Sequence, residues 1–222
     1  MDLSPDGESI VTLFSHGRSA GGDFEFDFWT IPVNDGRLTR LTSDGSRKEY
    51  PSWSPDGRWV AFVGYGRQEG SEGQAYVAIF IVPAEGGEIR QVSSAADSVG
   101  ARGISFTPDG KRIAFFSGRS IKTIPVEGGQ PELLIAGIAP TSGDSKPAYS
   151  PDGSSIAYNA GGKIWVTSLV AGVPQELRTS LPEIATISSF GWSPDGKNIA
   201  FVASTGGEPE FFLISGFLPE GR

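Results

Sequence analysis

Cysteine is absent from this 222-residue chain, and histidine and methionine occur once each, as His16 and Met1. Without cysteine there is neither a disulfide nor a thiolate metal site. One histidine excludes a multi-histidine metal centre. Positive charge is the scarcer sign: 18 Lys and Arg stand against 26 Asp and Glu, a formal net of -8. Nucleic-acid binding needs clustered Lys and Arg to displace counterions. No basic run exceeds two residues, as in Arg47-Lys48, so no nucleic-acid partner is expected. Long apolar runs are missing too. No stretch approaches the roughly 20 residues needed to span a bilayer, so no membrane insertion is expected. Met1 to Pro5 offers neither the basic nor the apolar region of a secretory signal. The chain opens directly on a repeat signature, as a mature or excised piece would.

Catalytic motifs are missing as well. A serine hydrolase needs the Gly-x-Ser-x-Gly elbow, and no segment has it. The phosphate-binding Gly-x-x-x-x-Gly-Lys-Ser/Thr is absent, since Gly161-Gly162-Lys163 runs on into Ile164 and reads as a hairpin turn between two strands. A lone histidine in the Gly/Ser-rich segment around His16 reads as solvated. No catalytic residue, cofactor or metal ligand is assigned.

What the chain has in abundance is one tetrapeptide: Ser4-Pro5-Asp6-Gly7, Ser54-Pro55-Asp56-Gly57, Thr107-Pro108-Asp109-Gly110, Ser150-Pro151-Asp152-Gly153 and Ser193-Pro194-Asp195-Gly196. The copies start 50, 53, 43 and 43 residues apart, which marks one supersecondary unit used repeatedly. Proline pre-sets a tight turn, Asp bonds the local backbone, and Gly accepts its positive φ. Asp6, Asp56, Asp109, Asp152 and Asp195 are therefore read as structural turn residues, not as a ring of metal ligands.

Each turn is followed by a β-branched, small, aromatic pattern: Val60-Ala61-Phe62, Ile113-Ala114-Phe115, Ile156-Ala157-Tyr158 and Ile199-Ala200-Phe201. Such a strand suits burial on both faces, the small residue leaving room for a neighbouring sheet. An aromatic residue precedes the turn in four copies (Trp53, Phe106, Tyr149, Trp192), and Leu3 replaces it in the first. A third apolar strand and a fourth, more polar one complete each unit. Proline in or beside the last two marks them as outer strands. No segment keeps a 3.6-residue period, so helix should be scarce. Four short antiparallel strands per repeat predict an all-β propeller of five blades over residues 1–43, 44–94, 95–136, 137–180 and 181–222, a single domain whose first and last blades are incomplete. In blade five the segment from Phe211 to Ser215 has no convincing outer strand beyond it. An unpaired edge invites a second chain, so a homodimer through the edge near Phe211 is one expected association. The tryptophans Trp29, Trp53, Trp165 and Trp192 fall at repeated register and are read as packing residues.

The aromatic-Ser-Pro-Asp-Gly run, the Ile/Val-Ala-aromatic strand and the Gly-Gly before the last strand together resemble the PD40 (WD40-like) repeat of the TolB family. Trp53 to Phe62 and Trp192 to Phe201 carry the likeness best, and it covers essentially the whole chain. The resemblance implies a non-catalytic, periplasmic, protein- or peptide-binding propeller. Similar repeats also form the gating propellers of prolyl-oligopeptidase-like serine peptidases and sensor extensions of bacterial kinases or regulators, which are the alternatives. The sequence departs from TolB in having five signatures, not six, and no additional N-terminal domain among them.

Strand order places all the tetrapeptide turns at one end of the blades. The irregular loops share the other end, where function concentrates on a rigid scaffold. Arg18, Arg47, Lys48, Tyr65, Arg67, Glu69, Arg102, Asp144 and Lys146 lie there and form the candidate binding surface for a protein or peptide partner.

Overall fold

The computed structural model describes residues 1–18, 24–67, 75–139, 146–179, 181–182 and 185–217. They form a β-propeller of five blades, each an antiparallel sheet of consecutive strands. Blade 1 holds β1 (Asp2–Leu3), β2 (Ser9–Arg18), β3 (Phe24–Pro32) and β4 (Thr39–Arg40). Blade 2 holds β5 (Lys48–Trp53), β6 (Trp59–Arg67), β7 (Ala75–Pro83) and β8 (Arg90–Gln91). Blade 3 holds β9 (Ser105–Phe106), β10 (Arg112–Ser117), β11 (Ser120–Pro125) and β12 (Glu132–Ile135). Blade 4 holds β13 (Ala148–Tyr149), β14 (Ser155–Ala160), β15 (Lys163–Ser168) and β16 (Pro174–Glu176). Blade 5 holds β17 (Thr186–Trp192), β18 (Asn198–Ser204) and β19 (Glu210–Ser215). Helix is confined, among the described residues, to one 3-10 turn at Ala95–Asp97. The chain divides into two compact units, Met1–Ile135 with blades 1 to 3 and Ala136–Arg222 with blades 4 and 5.

Blade 1 is more complete than the sequence predicts, because Asp2 and Leu3 pair with Val11 and Ile10 as a short first strand. Blade 5 has three strands among the described residues, and β19 pairs there only with β18.

The tetrapeptide turns build the tight end of every blade in one way. The first-residue hydroxyl donates to the aspartate Oδ1 at 2.5–2.6 Å: Ser4 to Asp6, Ser54 to Asp56, Thr107 to Asp109, Ser150 to Asp152 and Ser193 to Asp195. The same oxygen accepts the backbone N–H just after the glycine, from Glu8, Arg58, Lys111, Ser154 and Lys197. The glycines sit at φ 68° to 73°, where a side chain would be strained. Two groups, a hydroxyl and a backbone N–H, are satisfied by the aspartate in each turn, which explains the residue types at these spacings without a ligand.

Side chains alternate along the second strand of each blade, so successive residues point to opposite faces of the sheet, and within each unit neighbouring blades pack face to face. Blade 1 presents Val11 and Phe28 to Val60, Phe62 and Val82 of blade 2. Blade 2 presents Ala61, Val63, Ile79 and Ile81 to Ile104, Phe106, Ile113 and Phe115 of blade 3. In the second unit, Ala157, Ile164 and Val166 of blade 4 meet Phe190, Ile199 and Phe201 of blade 5. The small residue at each crossing is what lets the sheets approach. Aromatic rings fill the remaining space, as where Phe62 stacks on Phe80 at 5.6 Å and meets the Phe28 edge at 5.2 Å.

Candidate functional site at the loop end of blades 1 and 2

Arg47 immediately precedes β5 and Tyr65 lies in β6; the two strands run antiparallel, and their register sets Lys48 opposite Gly64 and Glu49 opposite Val63. Both residues therefore stand at the end of blade 2 away from the Ser54–Gly57 turn. The Arg47 guanidinium carbon lies 5.0 Å from the Tyr65 ring centroid. Its Nη2 donates to Glu49 Oε1 at 3.1 Å, and that hydrogen bond is the largest cause of the raised Arg47 pKa. Arg47 remains mostly exposed, and Tyr65 is half-buried beneath it. A cation held over an aromatic face by a neighbouring carboxylate is ordered before any partner arrives.

The backbone just after this pair is unusual. Tyr50 adopts φ 55° where a side chain is unfavourable, and the β5–β6 register shifts between Glu49 and Ser52. A bulge of this kind re-aims the residues before it, and left-handed backbone at a non-glycine residue costs about 1–2 kcal/mol. Strain tolerated at a surface end of a rigid blade accords with a positioned site. Gly66 adds to it: a Cβ there would lie 2.6 Å from the Tyr76 ring, so glycine is what lets Tyr76 cross the strand.

Lys48 is a correction to the expected surface. Strand alternation points Arg47 and Glu49 outward and Lys48 inward, and the Lys48 side chain is 0% exposed. Its ammonium donates to the carbonyls of Phe26 at 3.0 Å and Ser46 at 2.9 Å. It also pairs with Asp44 Oδ1 at 2.6 Å and with Asp27 Oδ1 at 3.3 Å. Asp27, equally buried, accepts from Thr42 Oγ1 at 2.7 Å and pairs with Arg40 through its other oxygen. Thr42 in turn accepts the Phe28 backbone N–H at 3.0 Å. Two cations, Lys48 and Arg40, are thus matched by two carboxylates, Asp27 and Asp44, where blade 1 passes into blade 2, which offsets the cost of burying the lysine. Lys48 anchors the segment that presents Arg47 and is not available to a partner. Asp27 is the residue that sequence reasoning missed. Its signal was legible in Phe26-Asp27-Phe28, a carboxylate between two aromatics in the third, apolar strand of the repeat.

The other expected residues are not gathered at one point. Arg102 lies over the Phe116 ring at 5.7 Å, on blade 3. Lys146 is half-buried just ahead of β13, in the second unit. Glu69 and Asp144 lie outside the described residues, as do the side chains of Arg18 and Arg67. The second unit has its own loop-end cavity of about 540 Å³, floored by Ile164, Leu177 and Ile187 and rimmed by Arg178 and the Lys163–Glu176 pair at 2.8 Å. Among the described residues no cluster of three His, Cys, Asp or Glu could hold a metal. Among the described residues no helix is long and apolar enough to cross a membrane.

TolB from Acinetobacter baumannii superposes with a TM-score of 0.72 at 20% identity, over 96% of this chain and 50% of that one. The chain has the fold of the TolB propellers. The same fold extends to oligogalacturonate lyase from Vibrio parahaemolyticus, with a TM-score of 0.65 at 16% identity over 96% of this chain and 64% of that one. In sequence, the chain is 29% identical over 110 residues to the peptidase YuxL of Bacillus subtilis, half of this chain and 16% of that protein. No protein-family model matches the sequence. The chain therefore spans half of the TolB chain and a smaller part of YuxL, and the TolB likeness describes its fold.

Proposed function

We propose that the chain is a non-catalytic propeller module that binds a protein or peptide through the loop end of blades 1 and 2. The observation that carries this reading is the exposed Arg47–Tyr65 stack, fixed by Glu49 from the side and by the buried Lys48–Asp27 pair from below. Arginine and tyrosine are the residues that dominate binding energy at protein interfaces, because each offers a large, ordered contact area. Partner groups that match it are a carboxylate or a carbonyl-lined turn, each able to accept from the guanidinium. The TolB likeness supports the same class of function and, by extension, a periplasmic location. A second reading follows from YuxL: a propeller of this kind gates a peptidase domain carried elsewhere.

Partner recovery by pull-down separates the two ends of the blades. Arg47→Glu or Tyr65→Ala should lower recovery at least about tenfold, the scale of one lost interface anchor. Lys111→Glu, beside the Asp109 turn at the opposite end, should leave recovery unchanged. Equal recovery by all three would defeat the proposal. Peptide hydrolysis by the purified chain would favour an enzyme instead.

A further inference from the structure

Arg47 reaches the surface with its charge already matched, and that limits what it can take. Its Nε and Nη2 both donate to Glu49 Oε1, at 3.3 and 3.1 Å, and its guanidinium lies over the Tyr65 ring. The β5–β6 register explains the trio. Continuing the pairing of Lys48 with Gly64 sets Arg47 beside Tyr65, on the same face as Glu49 and Val63. Two donors are left for a partner, the Arg47 Nη1 group and the Tyr65 hydroxyl, and neither has a hydrogen bond among the described residues. The side of the guanidinium away from Tyr65 is open as well, since the Arg47 side chain is 66% exposed.

The surroundings decide which acceptor fits. From Arg40 to Glu49 the charged residues are Arg40, Asp44, Arg47, Lys48 and Glu49, and Asp27 lies beneath them. Three positive groups thus meet three negative ones, and no net charge remains. Glu25, which a Cβ on Gly45 would meet at 3.4 Å, adds a further negative group. The whole chain carries -8. An incoming carboxylate would have to displace Glu49 or stand beside it, and like charges at close range are unfavourable. A neutral acceptor meets no such opposition.

We propose that Arg47 and Tyr65 take a peptide carbonyl flanked by an aromatic side chain of the partner, and not a carboxylate. The carbonyl oxygen has two lone pairs, one for Nη1 and one for the Tyr65 hydroxyl. The partner's aromatic ring lies on the open side of the guanidinium, which is then held between two rings. Arginine suits this arrangement because its planar, weakly hydrated cation stacks on aromatic faces while its in-plane N–H groups stay bonded. Glu49 keeps that plane fixed before and after docking. The inference rests on the loop-end site proposed above and narrows its partner to an uncharged peptide segment bearing an aromatic residue.

Selection of phage-displayed random peptides on the immobilised full chain, with counter-selection on Arg47→Ala, tests it. Peptides that depend on Arg47 should share an aromatic residue and show no enrichment in Asp or Glu. Their Kd by fluorescence anisotropy should change less than about twofold between roughly 50 and 300 mM salt, whereas capture of a carboxylate weakens as salt screens it. Replacing the shared aromatic by leucine should weaken binding about fivefold, the scale of one exposed cation–π contact. Arg47→Lys keeps the charge and loses the plane, and should bind as poorly as Arg47→Ala with an unchanged circular dichroism spectrum. An acidic consensus with salt-sensitive binding, or full binding by Arg47→Lys, overturns the inference and leaves the loop-end site standing. A selection that yields no Arg47-dependent peptide defeats the loop-end site itself, and this inference with it.

Discussion

Ile79 in blade 2 and Phe211 in blade 5 hold the same place in the repeat, yet one is sealed between sheets and the other lies almost wholly in water. Their strands are built by the same turn, the same register and the same alternation of apolar residues. What differs is whether a following sheet covers them. The fate of a repeated position is thus decided by its neighbour and not by its own sequence, as expected where each repeat buries its face only against the next. Blade 2 has both faces covered and an ionic network at its loop end. Blade 5 covers one face, through Ile199, Phe201 and Phe190 against blade 4.

The sharpest way to break the comparison is truncation at the shared position. Ile79→Ala should destabilise by about 3 kcal/mol, combining lost transfer energy with an unfilled cavity. Phe211→Ala, although it removes more atoms, should change stability by less than about 0.5 kcal/mol, because no packed neighbour loses contact. Urea unfolding of dilute protein measures both. Equal losses would mean that Phe211 is covered in solution even in the monomer.

A second contrast lies within blade 2, between adjacent residues of opposite fate. Lys48→Met leaves the buried Asp27 carboxylate with fewer counter-charges and should cost about 3 kcal/mol. Arg47→Ala, one residue earlier, breaks only an exposed pair with Glu49 and should cost well under 1 kcal/mol. Combining Lys48→Met with Asp27→Asn should recover part of the first loss, since the uncompensated charge goes with it. Thermal melts of the three variants check the order. If Arg47→Ala proved the more damaging, the anchoring role given to Lys48 would fail.

Much of the fold was legible because its determinants are local. Pro-Asp-Gly turns and period-two apolar runs specify hairpins from neighbouring residues alone, so the five repeats and their strand order could be read directly. The short β1 escaped because Asp2 and Leu3 carry no strand signature of their own and are recruited by Ile10 and Val11. The site was less legible for a physical reason. Arg47 and Lys48 look alike in sequence, and only the phase of β5 relative to Asp27, some twenty residues earlier, makes one a surface group and the other a core ion. Tyr65 was visible as a loop-end residue, but its stacking under Arg47 depends on the bulge at Tyr50, which no local pattern announces. The exposure of Phe211 was partly readable, from the missing polar strand after it. That the following face of the sheet would also lie open was not.

The smallest effect concerns the tetrapeptide turn, whose hydroxyl and backbone bonds to aspartate blades 2 and 5 share. The Ser54 hydroxyl, the Arg58 side chain and the Arg58 backbone lower Asp56 from 3.8 to about 2. Asp195 is lowered by the Ser193 hydroxyl and then by the Lys197 backbone. Its turn has no counterpart to the Arg58 Nε–Asp56 Oδ2 contact at 2.6 Å. A carboxyl whose pKa falls on folding favours the folded state above its unfolded value, and that contribution disappears as pH drops through the folded value. The stabilisation from Asp56 is therefore complete above pH 4 and is lost between about 4 and 2. Because the group is exposed, solvent screening holds it below about 1 kcal/mol. Asp56→Asn should flatten the dependence of urea stability on pH across that window, and Arg58→Ala should confine the remaining dependence to its upper part. Asp195→Asn should have the smaller effect, with the blade's open face making no difference. If the Asp195 change proved larger, packing around the turn, and not its own hydrogen bonds, would govern these carboxylates.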